Sequence, residues 1–205
     1  MTENDRQTEE KIFESATDVF IEKGMDGARM QDIANHAGIN KALLHYYFRT
    51  KDQLFSAVFE KTAAIVFKKF APVFDKNLSL EEKIRFFFRE HISFLQQNPK
   101  LASFVLNEVN RNPSRIKKLL RKVEIDKMWE MLLEQHREEL KEYNINEAIL
   151  PQVMVSMASL SVFPFAARGI LEALFEKVGV NFDDFIEERK QFAADYAIRA
   201  LKKNR

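Results

Sequence analysis

The segment IANHAGINKALLHYYFRTKDQLF, Ile33 to Phe55, sets a glycine between two short helical patterns and then crowds rings and cations into barely two turns. Ile33, Ala34 and Ala37 share one side of a helix expected over Met30 to Ala37, and Gly38 follows them as the residue that tolerates the positive φ of a helix stop. Asn40 is placed to cap a third helix over Lys41 to Phe48, whose Leu44, Tyr47 and Phe48 turn inwards. Thr50 to Gln53, TKDQ, has the S/T-x-x-E/Q form of a capping box and opens a fourth helix carrying Leu54, Phe55, Val58 and Phe59. Upstream, Ile12, Phe13, Ala16, Val19 and Phe20 recur at helical spacing, which predicts a first helix over Thr8 to Lys23 with Gly24 as its stop.

Helix, glycine turn and helix with a shared apolar side is a helix-turn-helix pattern, and its second helix fits the major groove of DNA, about 12 Å wide. The face turned away from the core then carries Asn40, Lys41, Ala42, Leu43, His45 and Tyr46. Lys41 is suited to a guanine edge or a phosphate, Ala42 and Leu43 to thymine methyls, and the polar tips of His45, Tyr46 and Tyr47 to phosphate oxygens. Lys51 adds its charge at a helix start, where backbone N–H groups also point at phosphate. Arg29 and Gln31, at the start of the second helix, complete the candidate DNA contacts. From Gly27 to Lys51 the cations Arg29, Lys41, Arg49 and Lys51 face the single acid Asp32. On charge alone, a solvated helix face accounts for this as well.

The rest of the 205 residues also reads as helix, with five glycines and five prolines as the only strong breaks. Ser79 and Glu82 form a second capping box; Pro99 and Pro113 introduce further helical segments, the latter a long amphipathic stretch to Tyr143. Asn146 to Lys177 is the most apolar region, with Pro164 expected to kink or break it, and a last helix is expected over Asp183 to Lys202. The absence of cysteine removes disulfides, thiol nucleophiles and thiolate metal sites. No apolar run reaches the roughly 18 residues of a membrane span, and the acidic start lacks the pattern of a secretion signal, so a cytoplasmic protein without membrane association is expected. His91 and His136 lie beside glutamates without the spacing of a zinc site and are expected to be structural. No phosphate-binding glycine loop or nucleophile elbow occurs, so no catalytic residue, metal or cofactor is assigned. Among many apolar side chains, Phe67, Phe104, Trp129 and Met157 are the candidates for lining a ligand pocket, against the simpler reading of each as ordinary core.

Ile33, Ala34, Ala37, Gly38, Ile39, Lys41, Ala42, Leu44, Tyr47, Phe48, Thr50, Lys51 and Leu54, with Ala16, Phe20, Lys23 and Gly24 upstream, resemble the DNA-binding domain of the TetR family of bacterial transcriptional regulators. The resemblance covers roughly the first quarter of the chain. His45 stands where the family pattern has tyrosine, and Ala28-Arg29 where a Ser/Thr cap is usual. The resemblance implies an all-α protein with an N-terminal three-helix helix-turn-helix domain, residues 1–50, and a larger C-terminal helical domain, residues 51–205, for ligand binding and dimerisation. It further implies a homodimer on a palindromic double-stranded DNA operator, acting as a repressor and released by a small hydrophobic effector; the alanine-lined last helix fits the dimer interface, though a helix buried within the chain would look the same. The competing expectation is a helical lipid- or hydrophobe-binding protein whose N-terminal module does not bind DNA.

Overall fold

The structure, a computed structural model, describes residues 3–74, 77–122, 124–143 and 145–202; the side chains of residues 4, 67, 70, 71, 74, 116, 122, 125, 126, 128 and 129 also lie outside the described set. Every regular element among the described residues is helical. The chain forms two compact units, Met1–Lys68 with Phe104–Ile116, and Lys69–Ser103 with Lys117–Arg205.

In the first unit, α1 (Glu3–Gly27) begins earlier than expected, and its helical dihedrals fail at Gly24, with φ 68 and ψ 176. The chain from there to α2 (Met30–His36) exposes carbonyls that the helix does not bond, and Lys51 supplies the donor: its Nζ lies 2.9 Å from the Ala28 oxygen and 3.3 Å from that of Asp26. After α2, Gly38 takes φ 62. The Ile39 N–H donates back to the Ala34 carbonyl at 3.0 Å and that of Gly38 to Asn35 at 3.1 Å, the paired bonds of a Schellman stop. The turn delivers Asn40, whose side-chain oxygen accepts from the Leu43 N–H at 2.7 Å and starts α3 (Lys41–Tyr47).

These helices close on one core with α4 (Lys51–Phe70). Ile12, Ala16, Phe20, Ile33, Ala34, Ala37, Leu44, Leu54, Phe55 and Val58 are all buried there. Phe55 stands edge-on to Phe20 at 4.9 Å and 5.5 Å from Phe104 of α6 (Leu101–Arg111), each such pair adding about 0.5–1.5 kcal/mol beyond burial. Arg115, near the start of α7 (Pro113–Lys122), lies over the Phe55 ring at 4.7 Å and donates to Asp52 at 2.6 Å and to buried Glu108 at 2.5 Å. The first unit therefore runs past the expected boundary at residue 50: α4 supplies its core, and a segment some forty positions further along the chain clamps it.

The second unit is built on α5 (Leu80–Gln97), opened by the capping box of Ser79 and Glu82 with both reciprocal bonds made. The stretch from Ser114 divides into α7, α8 (Ile125–Gln135) and α9 (Arg137–Glu142), with Glu124 in the left-handed region at φ 51 and His136 non-helical between α8 and α9. The most apolar segment forms α10 (Leu150–Ala166) and α11 (Arg168–Val178), bent by 75°. Pro164 lies inside α10, so the bend comes after it rather than at it. Proline at 164 deprives the Leu160 carbonyl of its helical donor, and Arg189 takes the place: its Nε donates to that oxygen at 3.0 Å. One turn earlier the Ser161 hydroxyl donates to the Met157 and Ala158 carbonyls and accepts from His91 Nδ1 at 2.9 Å.

The last helix, α12 (Phe182–Lys202), lies along α5, joined to it by Arg85–Asp195 and Glu81–Lys202, both 2.6 Å. Ala193, Ala194 and Ala197 are buried within the protomer. Their small size serves close packing inside this chain, the second of the two readings that the alanine stripe allowed. Among the described residues no single helix is long and apolar enough to cross a membrane.

Candidate DNA interface and apolar cavity

The inward face of α3 is occupied by Leu44, fully buried, and by Phe48, edge-on to Phe13 at 5.6 Å. What remains outward follows from the helical repeat: Lys41, Ala42, His45 and Tyr46 are exposed, and Arg49 extends the same stripe just past the helix end. Tyr46 is 80% exposed, far more than an aromatic ring needs for packing. His45 Nδ1 lies 3.3 Å from the Arg49 carbonyl and tethers the ring to the end of its own helix. Leu43 is half-buried.

Four of the expected contacts have work to do inside the module. Asn40 is the α3 cap. Tyr47 reaches back to α1, its hydroxyl donating to Asp5 at 3.3 Å; desolvation, with the Asp5 charge beside it, holds this phenol above its ordinary value. Lys51 braces the carbonyls before α2. Gln31 is exposed and donates to Asn35 at 2.9 Å. Arg29 occupies the N-cap position of α2 without a side-chain cap bond, as the missing Ser/Thr foretold, and stays exposed.

The electrostatic balance favours an anion. Asp32, the one acid between Gly27 and Lys51, is paired with Lys23 at 2.9 Å, a hydrogen bond that holds its carboxyl below the usual range. Arg29, Lys41 and Arg49 are exposed cations in the same segment. Arg49 was not singled out from the sequence, although its four-residue spacing from His45 carries the signal.

The second unit contains a cavity of about 280 Å³ between α5, the α8–α9 junction and α10. Met157 is on its wall, with Leu80, Ile84, Phe87, Leu132 and Leu140. Phe104 instead packs on Phe55 and Phe59 in the core of the first unit, because the chain folds its helix back there. The Phe67 and Trp129 side chains lie outside the described residues. Lys83 and His136 are also on the wall; His136 was read from the sequence as structural, and Lys83 was not singled out. Lys83 is three residues from both Leu80 and Phe86 on the apolar stripe of α5, a position from which periodicity alone would flag a buried cation.

Residues 12–58 match the family model described as "Bacterial regulatory proteins, tetR family". The chain is 25% identical over 163 residues to the "Probable HTH-type transcriptional regulator YttP" of Bacillus subtilis, covering 77% of each. It is 43% identical over 54 residues to the HTH-type transcriptional repressor SCO4008 of Streptomyces coelicolor, 26% of this chain and 28% of that one. A TetR-like transcriptional regulator from Rhodococcus sp. RHA1 has the same fold, with a TM-score of 0.67 over 95% of both chains at 19% identity. The helix-turn-helix geometry and the matched segment that contains it agree: residues 12–58 carry the DNA-binding segment described by the tetR family of bacterial regulatory proteins, on a fold shared with a TetR-like regulator.

Proposed function

We propose that this DNA-binding transcriptional regulator is a homodimeric repressor that seats α3 of each protomer in the major groove of a palindromic operator and lets go when a small hydrophobic effector fills the cavity of the second unit. The observation that carries the DNA reading is the outward stripe Lys41, Ala42, His45, Tyr46 and Arg49, a cationic and aromatic surface left uncovered while the opposite side of the same short helix is fully packed. Phosphates take the cations and base edges take Lys41 and Ala42. A protein that bound only hydrophobes would have no use for an exposed Tyr46 in a cationic stripe.

The dimer is supported by apolar surface in the second unit. Ile170, Leu174 and Val178 recur on one face of α11, and Phe192 and Tyr196 stack at 6.2 Å on α12, all between 52% and 70% exposed. Bulky side chains in such a repeat are the signature of a face that a second helix pair covers. Two copies of α3 related by a twofold axis then address successive major grooves about 34–36 Å apart. The repressor sign is supported by the name of the Streptomyces relative. Coupling runs through the segment Phe104–Ile116: it is clamped on α4 by Arg115, while the chain on either side of it belongs to the cavity-bearing unit.

The test is a mobility shift with the DNA flanking the protein's own coding region. A retarded complex is expected whose log affinity falls linearly with log salt, by about 0.9 for each phosphate neutralised. The absence of any salt-sensitive complex across genomic fragments would remove the reading.

A further inference from the structure

His45 stands in the last turn of α3 with its ring exposed, and its Nδ1 lies 3.3 Å from the carbonyl oxygen of Arg49. A carbonyl oxygen only accepts, so Nδ1 carries the hydrogen. Neutral imidazole has one N–H, and the tether to Arg49 therefore leaves Nε2 as a bare lone pair. That nitrogen has no partner among the described residues. The other tautomer would bring the hydrogen to Nε2, but it would set the Nδ1 lone pair against the Arg49 oxygen and give up the tether.

What Nε2 meets on DNA follows from its place on the helix. The first residues of a recognition helix reach base edges, whereas its far end lies along the sugar-phosphate backbone. Lys41 and Ala42 are in the first turn of α3; His45 comes one turn later, and Arg49 follows at the same spacing just past the helix end. A phosphate oxygen is an acceptor, as is the lone pair of neutral Nε2, and the two repel. They attract once Nε2 holds a proton.

The free chain offers this ring no negative partner. Lys41 and Arg49, four residues away on either side, are both cations. The acids of the surrounding helices are engaged elsewhere: Asp5 of α1 accepts from Tyr47, Asp18 of α1 faces His36, Asp32 of α2 is paired with Lys23, and Asp52 of α4 with Arg115. The histidine ion pairs among the described residues are those of His36 and His136.

We propose, resting on the reading of α3 as the DNA-binding helix, that His45 contacts a DNA phosphate only as imidazolium, so that each protomer takes up one proton at Nε2 when it binds DNA. The proton comes from the solvent, Nδ1 keeps its bond to the Arg49 carbonyl, and Nε2 donates to the phosphate oxygen. Binding is then strongest at low pH and weakens as pH rises, since the bound state holds a proton that the free state gives up.

Anisotropy titrations of the full chain from pH 6 to 8 at constant salt, on the protein's own flanking DNA and on random DNA, test this with His45→Gln, His45→Asn and His36→Gln beside the parent. Histidine is the side chain whose ordinary charge change falls in that range, and His36 is the other exposed histidine of the first unit. Glutamine sets an amide nitrogen near Nε2 and donates at any pH; asparagine sets one near Nδ1, keeps the Arg49 tether and leaves the phosphate without a donor. The parent is expected to lose affinity across the range by about tenfold or more per protomer, the worth of one hydrogen bond between charged groups. The loss should be equal on both DNAs, because a phosphate carries no sequence. His45→Gln and His45→Asn should lose the pH dependence, with the glutamine chain the tighter binder, and His36→Gln should keep it, melting curves showing every variant folded.

A parent whose affinity is flat over this range, a slope that persists in both folded His45 variants, or one that vanishes in His36→Gln overturns the proposal. A slope confined to the flanking DNA overturns it as well, by assigning His45 to a base edge. The two readings fail differently: no salt-sensitive complex at any pH removes the DNA reading itself, whereas salt-sensitive binding that ignores pH leaves that reading standing and overturns the proton uptake alone.

Discussion

Replacing Gly38 by alanine tests whether the turn between α2 and α3 is what sets the recognition helix. Gly38 holds φ 62, where an L-residue with a Cβ loses about 1–2 kcal/mol. Space adds nothing to that figure, since the new methyl would meet only the flexible Lys11 ammonium at 3.6 Å. For a cooperative unit of this size the loss lowers the melting temperature by roughly 5–15 °C. Gly24 also has a positive φ, 68, but with ψ 176 it lies in a region that glycine occupies almost alone, so Gly24→Ala should cost at least as much stability despite the open space around it. Gly27, without positive φ and with ordinary contact to Lys23 at 3.4 Å, should accept alanine without loss. The functional readout divides the first two. Below its melting range Gly24→Ala should bind DNA normally, while Gly38→Ala weakens binding because the Schellman bonds of Gly38 and Ile39 aim α3. Gly38→Asn should recover part of both losses, asparagine being the side chain that best tolerates this region. Thermal unfolding by circular dichroism with anisotropy titrations on the same samples would decide; a Gly38→Ala chain that melts and binds like the parent would refute the reasoning.

Burial holds the His91 imidazole down to about 4 from its ordinary 6.5. Between those values the unfolded chain takes up a proton that the folded chain refuses, so stability is full above pH 6.5 and declines as pH falls towards 4, by roughly 3 kcal/mol in all; denaturant midpoints across that range should lose this slope in His91→Gln. Removing the Arg115 guanidinium leaves Glu108 buried and unpaired, and Arg115→Met is expected to cost about 3–5 kcal/mol in the first unit, most of it returned by adding Glu108→Gln, as read by chemical unfolding. Phe192→Glu places a charge on the exposed stack of α12 and should leave monomers in sedimentation velocity with an unaltered helical spectrum; an intact dimer would move the interface elsewhere.

Most of the first unit was legible because its determinants are local. Gly38, the Asn40 cap and the spacing of Ile33, Ala34, Leu44 and Phe48 each act within a turn or two of themselves, and they appear where periodicity put them. What was not legible depends on partners distant in sequence. Nothing near Lys51 says that its ammonium bonds the Ala28 carbonyl, and nothing near Phe104 or Arg115 says that they pack on Phe55. Alanines at 193, 194 and 197 specify close approach without specifying to what, and the answer is α5. Pro164 reads as a break, yet Arg189 satisfies the carbonyl it orphans and the helix runs on to Ala166. The setting of His136 was hidden for a similar reason: it looks like any histidine beside glutamates until Glu139 is seen to be shared with the Leu80 amide.

The central claim is that the outward face of α3 binds DNA, and the most direct measurement is an anisotropy titration of the protein's own flanking DNA against random DNA at several salt concentrations, with the double variant Lys41→Ala, Tyr46→Ala beside the parent. Both side chains are exposed, so the fold is expected to be untouched. The account predicts that the parent prefers its flanking DNA, that the variant loses that preference by about 1–3 kcal/mol per lost base contact, and that its salt slope becomes shallower. A variant that binds both DNAs with the parent's affinity and slope would contradict it.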